Sequence, residues 1–214
     1  VAAGSLDFAD ALRLVAERGR LMEAHAPAGA GLIAVIGLDD EAVEALCESC
    51  PVEGLLSPVN YNAPGQVVVA GEEATLAWLS DNAKAHGARM ATRLPVSVPS
   101  HCAMMRKAAD ELAGALDGTV FHAPAVPVLH NLDAAPRDGA EAIRQALRRQ
   151  LCEPVLWTRT QASFVDRGVT RIVECGPGRV LCGLAKRALK GMPSTSLETP
   201  EGFDQIRTWL TEEV

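Results

Sequence analysis

Positive charge is in short supply in this chain: across 214 residues, 20 Lys and Arg stand against 27 Asp and Glu, a formal charge of −7. That balance excludes a nucleic-acid binder that lives on phosphate neutralisation. Long apolar runs are missing too. None approaches the roughly 18 to 20 residues that a membrane-spanning helix needs, and the first residues lack the basic start and apolar centre of a signal peptide. The expectation is a cytoplasmic protein with neither a membrane nor a nucleic-acid partner. Zinc-type cysteine spacing is also absent. Cys47, Cys50, Cys102, Cys152, Cys175 and Cys182 are scattered; only the first two form a C-x-x-C, and no second pair completes a ligand set. They read as reduced, mostly buried small apolar side chains, and no metal or other cofactor is expected. An initiating methionine is lacking as well. The chain starts Val1-Ala2-Ala3-Gly4 directly against a helix, so it is expected to be part of something longer.

What is present is an ordinary globular pattern, 48% hydrophobic and 22% charged, long enough for a large domain with a small one. Asp7 can cap a helix over 8–25, in which Phe8, Leu12, Val15, Gly19 and Met22 recur at helical spacing. A linker at 27–31 follows. Then come a strand at 32–36, a helix opened by Asp39 and Asp40, a strand at 55–61, a Pro64-Gly65 turn and a strand at 67–70. A helix over 72–86 and a strand over 90–96 complete a βαββαβ order, the ferredoxin-like split unit, within residues 31–97. Beyond residue 98 longer helices alternate with short strands, the pattern of a parallel sheet with helices on its faces. Helices are expected over 101–116, 139–152, 157–167, 179–189 and 201–213, and strands over 126–130, 171–175 and 194–197. Residues 1–30 and 98–214 thus form a large α/β domain, whose remaining strands are expected upstream of Val1.

Arg18 is unusual on helical geometry alone. On a wheel started at Phe8, Arg13, Glu17, Arg20 and Glu23 fall between about 60° and 180°, the solvated face, while Arg18 falls at about 280°, inside the apolar arc. A guanidinium there needs an anion, because unpaired burial costs several kcal/mol. Two sources are open: a structural ion pair with a distant Asp or Glu, or a substrate carboxylate held bidentately.

His101 follows Val98-Pro99-Ser100, where Ser100 is a natural N-cap, so the ring is expected in the first helical turn, kept neutral by the helix dipole as a general base requires. A surface or capping histidine fits the same residues. Cys102 is a poor partner for it, since neighbours on a helix point about 100° apart. Gln150 lies in a last helical turn ahead of Pro154, which leaves its backbone carbonyl without an intrahelical partner and free to accept a ring N–H. Gly176-Pro177-Gly178 joins a strand to a helix and suits either a phosphate or a plain tight turn. Asn60 and Asn62 flank a hairpin tip, where asparagines serve as turn formers.

Four stretches carry a resemblance: PVNYNAPGQVV at 58–68, LPVSVPSHCA at 94–103, Arg149-Gln150-Leu151 before Pro154-Val155, and ECGPG at 174–178. In order and spacing the chain resembles the bacterial malonyl-CoA:acyl carrier protein transacylases along its whole length. The resemblance implies an acyltransferase fold, an α/β-hydrolase-like large domain, here incomplete, with the ferredoxin-like subdomain inserted. It also implies ping-pong transfer, in which a serine takes malonyl from coenzyme A and passes it to the phosphopantetheine thiol of acyl carrier protein, for fatty-acid synthesis. Coenzyme A and phosphopantetheine are then substrate carriers rather than cofactors, and the complete enzyme is expected to be a monomer. His101 matches the general base, Gln150 the residue whose carbonyl orients it, Arg18 the malonate-binding arginine and Asn62 a polar residue near the site.

The departure from that family is the nucleophile. No serine of the chain sits in a Gly-x-Ser-x-Gly setting, and by the family's spacing the elbow would fall about eight residues before Val1, with the oxyanion-hole residues also upstream. A relative that loads methylmalonyl for polyketide synthesis would keep the same carboxylate clamp. An inactive fragment lacking the nucleophile is the remaining alternative, and residues 1–214 by themselves are expected to transfer no malonyl group.

Overall fold

The computed structural model describes residues 1–212 and divides into two bodies, Val1–Thr160 and Gln161–Val214. In the first, helix α1 (Phe8–His25) begins at Asp7, whose carboxylate accepts from the Ala9 N–H at 2.8 Å. Strand β1 (Gly31–Ile36), helix α2 (Asp40–Glu48), strands β2 (Leu56–Ala63) and β3 (Gln66–Gly71), helix α3 (Glu73–Asn82) and strand β4 (Met90–Arg93) follow. The strands form one antiparallel sheet in the order β2-β3-β1-β4, the topology expected of a split βαββαβ unit. One sheet face carries Ile33, Val35, Val67 and Val69 against Val43, Leu46, Leu76 and Leu79 of the two helices. The other carries Leu32, Val59, Val68 and Ala70 against Cys102. Covering on both faces explains why β1 and β3 read as unbroken apolar runs rather than as alternating ones.

Beyond the sheet, a single 3-10 turn (Ala103–Met105) leads into helix α4 (Arg106–Asp117), so the helix expected over 101–116 starts five residues late. Helix α1 lays Leu14, Leu21 and Met22 on Ala108, Ala109, Leu112 and Leu116 of α4, with Ile143 of α5 (Ala140–Arg149) closing the cluster. Each buried leucine in such a cluster contributes on the order of 2 kcal/mol. The rest of α1's apolar arc is not covered. Phe8, Leu12 and Val15 are 63%, 55% and 68% exposed, a stripe at i, i+4 and i+7. The strand expected over 126–130 shrinks to β5 (Leu129–His130) and pairs antiparallel with β6 (Ala135–Pro136), closing a hairpin in which Ala134 takes φ +58°. It therefore joins no parallel sheet among the described residues. Helix α6 (Trp157–Asp166) runs across the boundary of the two bodies.

In the second body, β7 (Ile172–Glu174) and β8 (Ser194–Ser196) pair in parallel, with α7 (Val180–Ala188) as the crossover and α8 (Pro200–Thr211) after them. Gly202 of α8 lies so close to the Ser196 carbonyl that an added Cβ would collide with it. The helix expected over 201–213 is thus present to Thr211, and residue 213 lies outside the described residues.

Candidate active site

His101 is placed by its backbone before its side chain matters. It stands outside any helix with φ +66°, a left-handed conformation that costs a non-glycine residue on the order of 1 kcal/mol or more and persists only where the surroundings enforce it. Two consecutive carbonyls supply that enforcement: the His101 N–H donates to Leu151 O at 3.0 Å, and its ring Nδ1 donates to Gln150 O at 2.6 Å. Next to it, the Cys102 thiol donates to Pro99 O at 3.2 Å and its side chain is buried in the sheet's second core. The expectation that a helix dipole keeps His101 neutral is corrected here, because the residue lies before both the 3-10 turn and α4. Burial and the positive charge of Arg18 lower the imidazole pKa instead, against the opposing pull of the Gln150 carbonyl.

Gln150 caps the C-terminus of α5, where its N–H still bonds Ala146 O at 3.0 Å but its carbonyl is past the last intrahelical donor. That carbonyl is the one His101 uses. A carbonyl only accepts, so the proton of a neutral His101 is on Nδ1 and Nε2 keeps its lone pair. The Gln150 side chain turns the other way, its amide nitrogen 3.3 Å from Nδ1 of His130, a buried histidine at the end of β5. Nothing in the sequence singled out His130. It ends an apolar run like any strand residue, and only the folded chain brings it against a glutamine 20 positions away.

Arg18 and Gln150 line one cavity of about 130 Å³, walled by Leu6, Ala11, Leu14, Val15, Leu112, Leu116 and Leu147. Helical spacing sets Arg18 in the stripe of Leu14 and Leu21, both buried, which confirms the wheel's placement. Among the described residues it makes no ion pair and no hydrogen bond, and burial is the sole cause lowering its pKa. No Asp or Glu of the described residues pairs with it, and the guanidinium lines an apolar cavity.

Asn62 is not among the residues lining that cavity. It sits at a break in the β2–β3 register between Tyr61 and Ala63, inside a strand rather than at the hairpin tip. The segment after Gln150 runs along this strand: Val155 N–H donates to Val59 O at 2.8 Å, and Tyr61 N–H to Val155 O at 2.9 Å. In the second body, Gly176 and Gly178 both take positive φ, as a tight turn requires. The first free N–H groups of α7 are occupied: the Glu174 carboxylate accepts from Leu181 at 3.0 Å and Cys182 at 2.8 Å, which disfavours a phosphate there. Among the described residues no three His, Cys, Asp or Glu side chains come together as metal ligands, and no helix is long and apolar enough to cross a membrane.

The family model described as an acyl transferase domain matches residues 1–199. A malonyl CoA-acyl carrier protein transacylase of Escherichia coli strain K12 is 46% identical over 204 residues, 95% of this chain and 66% of that protein. The crystal structure of a malonyl-CoA:acyl carrier protein transacylase from Xanthomonas oryzae superposes with a TM-score of 0.93 at 43% identity, covering 96% of this chain and 66% of the other. A malonyl-transacylase solved in complex with its type II polyketide synthase acyl-carrier protein gives 0.91 at 44%, covering 95% and 66%. The chain spans about two thirds, 66% to 68%, of the length of such curated relatives. With that breadth of match, the chain belongs to the acyl transferase family, on the branch of the malonyl-CoA:acyl carrier protein transacylases.

Proposed function

We propose that the complete enzyme, this chain together with a serine-bearing segment of the kind its longer relatives have room for, moves a malonyl group from malonyl-CoA to the phosphopantetheine thiol of acyl carrier protein. In this reading residues 31–97 are the small subdomain, and residues 1–30 and 98–214 belong to the large one. The observation that carries the proposal is Arg18: a guanidinium with no protein anion among the described residues, in an apolar cavity, beside the residue that holds His101. A free malonyl carboxylate is the partner it lacks, and bidentate pairing there orients the thioester.

His101 acts as the general base. With Nδ1–H spent on the Gln150 carbonyl, Nε2 takes the proton of the serine hydroxyl as its oxygen attacks the thioester carbon. The same proton passes to the departing coenzyme A thiolate. In the second half the carrier thiol gives its proton to Nε2, its sulfur attacks the acyl-serine ester, and the proton returns to the serine oxygen. Both halves balance. Asn62 follows Tyr61 in the strand that runs along the Val155 segment, and we assign it to substrate positioning.

The test is direct transfer. The complete enzyme incubated with malonyl-CoA and holo acyl carrier protein is expected to yield malonylated carrier protein by intact-mass spectrometry, with acetyl-CoA a poor donor. Equal transfer from both donors, or none from malonyl-CoA, contradicts the proposal.

A further inference from the structure

His130 has no place in the mechanism just given, yet it is buried and holds the side chain of the residue on which His101 depends. An amide nitrogen only donates, so the 3.3 Å contact is Gln150 Nε2–H to His130 Nδ1, and the neutral His130 ring carries its proton on Nε2. Gln150 is thus gripped from two sides. Its main-chain carbonyl faces His101 and its side-chain amide faces His130, so the two imidazoles are fixed in opposite tautomers across one residue.

A grip of that kind is needed. Gln150 is the C-cap of α5, and the peptide plane bearing its carbonyl is held on the helix side only by a long bond from Leu151 N–H to Arg148 O at 3.3 Å. The chain around it is held by Cys152 and Glu153 N–H, which donate to Arg149 O at 2.9 and 3.0 Å, so the His130 contact adds a side-chain hold to the one peptide plane that carries the Gln150 carbonyl. His130 is itself well anchored: it pairs with Ala135 in the β5–β6 hairpin, and its carbonyl accepts from Ala134 N–H at 2.8 Å. The following residue, Asn131, takes the Leu156 N–H at 2.7 Å, so the hairpin also fixes the segment that leaves Gln150.

We propose that His130 is a positioning residue for His101, acting through Gln150: by accepting from the glutamine amide it fixes the carbonyl that sets the His101 tautomer. The inference rests on the reading of His101 as the general base, and it adds a residue to that site.

The test compares His130→Asn with His130→Leu in the complete enzyme. Both side chains branch at Cγ and fill similar space, but only asparagine offers an acceptor where Nδ1 stood. Histidine ring nitrogen NMR, recorded without substrate, is expected to find His101 protonated at Nδ1 in the parent and in His130→Asn, and distributed over both tautomers in His130→Leu. For malonyl transfer, kcat is expected to fall roughly tenfold in His130→Leu with KM unchanged, and to stay within about threefold of the parent in His130→Asn, the scale at which outer-shell orienting groups act. Gln150→Met, which keeps the main-chain carbonyl and removes the amide, is expected to match His130→Leu, with no further loss in the double variant. This second route serves if His130→Leu folds poorly. An unchanged His101 tautomer in both His130→Leu and Gln150→Met overturns the proposal while leaving His101 as the base. Absence of malonyl transfer alongside the expected ring pattern overturns the functional reading and leaves the positioning role standing.

Discussion

The ring Nδ1 of His101 lies 2.6 Å from the backbone oxygen of Gln150, while the next carbonyl along, that of Leu151, takes the His101 N–H at 3.0 Å. Two adjacent carbonyls at the end of α5 therefore define both the backbone and the tautomer of one histidine. The left-handed φ of +66° at His101 is the conformation that lets main chain and ring reach them together.

That arrangement separates His101 from its neighbour. In the complete enzyme His101→Ala is expected to lower malonyl transfer by roughly 10² to 10⁴, the range for loss of a positioned acid-base group. Cys102→Ala keeps most of kcat and costs about 1 kcal/mol of stability, since the thiol packs in the sheet's second core and burial pushes its pKa up to about 11, away from a reactive thiolate. Steady-state kinetics and urea unfolding on both variants check this. Loss of transfer in Cys102→Ala with retention in His101→Ala would contradict the serine mechanism.

The pH dependence follows from the direction of two shifts. Burial is the first cause for both His101 and His130, with the charges of Arg18 and Arg137 adding to it, and both pKa values lie below 6.5. Protonation of His101 removes the lone pair at Nε2, so kcat/KM is expected to be level near pH 7 and to decline only on the acid side of 6.5. Stability has the same sign. Between the lowered folded values and 6.5 the unfolded chain binds more protons than the folded one, so stability is fully present above 6.5 and falls as pH drops through that window. A rate profile with its acid midpoint at or above 6.5 contradicts the account.

In the second body Glu174 replaces the missing partners at the start of α7. Burial raises its pKa, but the N–H groups of Cys182 and Leu181 overcome that and hold the carboxyl below its ordinary value. Glu174→Ala leaves both amides without an acceptor and is expected to cost about 1 to 3 kcal/mol. Hydrogen exchange at Leu181 and Cys182 is the measurement, with faster exchange at both expected and unchanged protection contradicting the capping role.

The place of Arg18 was legible in the sequence because it depends on local periodicity, whereas the roles of His101, Gln150 and Asn62 came only with the family resemblance. Arg18 fell inside the apolar arc of α1 from the 100° step alone, and Asp7 and Asp39 marked the starts of α1 and α2, where each side chain accepts a backbone N–H. The βαββαβ order of residues 31–97 followed from runs and turns, and the sheet has that order. What was not legible depends on long-range hydrogen bonds. Ser100 looked like an N-cap, but carbonyls 50 residues downstream pull His101 out of the helix, and α4 starts at Arg106. The strand at 126–130 was assigned to a parallel sheet on the general alternation of helices and strands, which says nothing of a hairpin closed by Ala134 at positive φ. The contact between His130 and Gln150 joins positions 20 apart and has no local signature.

The central claim is that Arg18 exists to hold a carboxylate, and donor discrimination tests it most directly. Arg18→Ala in the complete enzyme is expected to lose on the order of 2 to 4 kcal/mol in kcat/KM for malonyl-CoA, the cost of a desolvated charge-assisted pair, while acetyl-CoA, which has no carboxylate, is used at least as well as before. The ratio of the two kcat/KM values, measured in parent and variant by transfer to holo acyl carrier protein, is therefore expected to collapse by roughly 30- to 1000-fold. An equal loss for both donors in a variant that still unfolds cooperatively would contradict the claim and make Arg18 a structural residue.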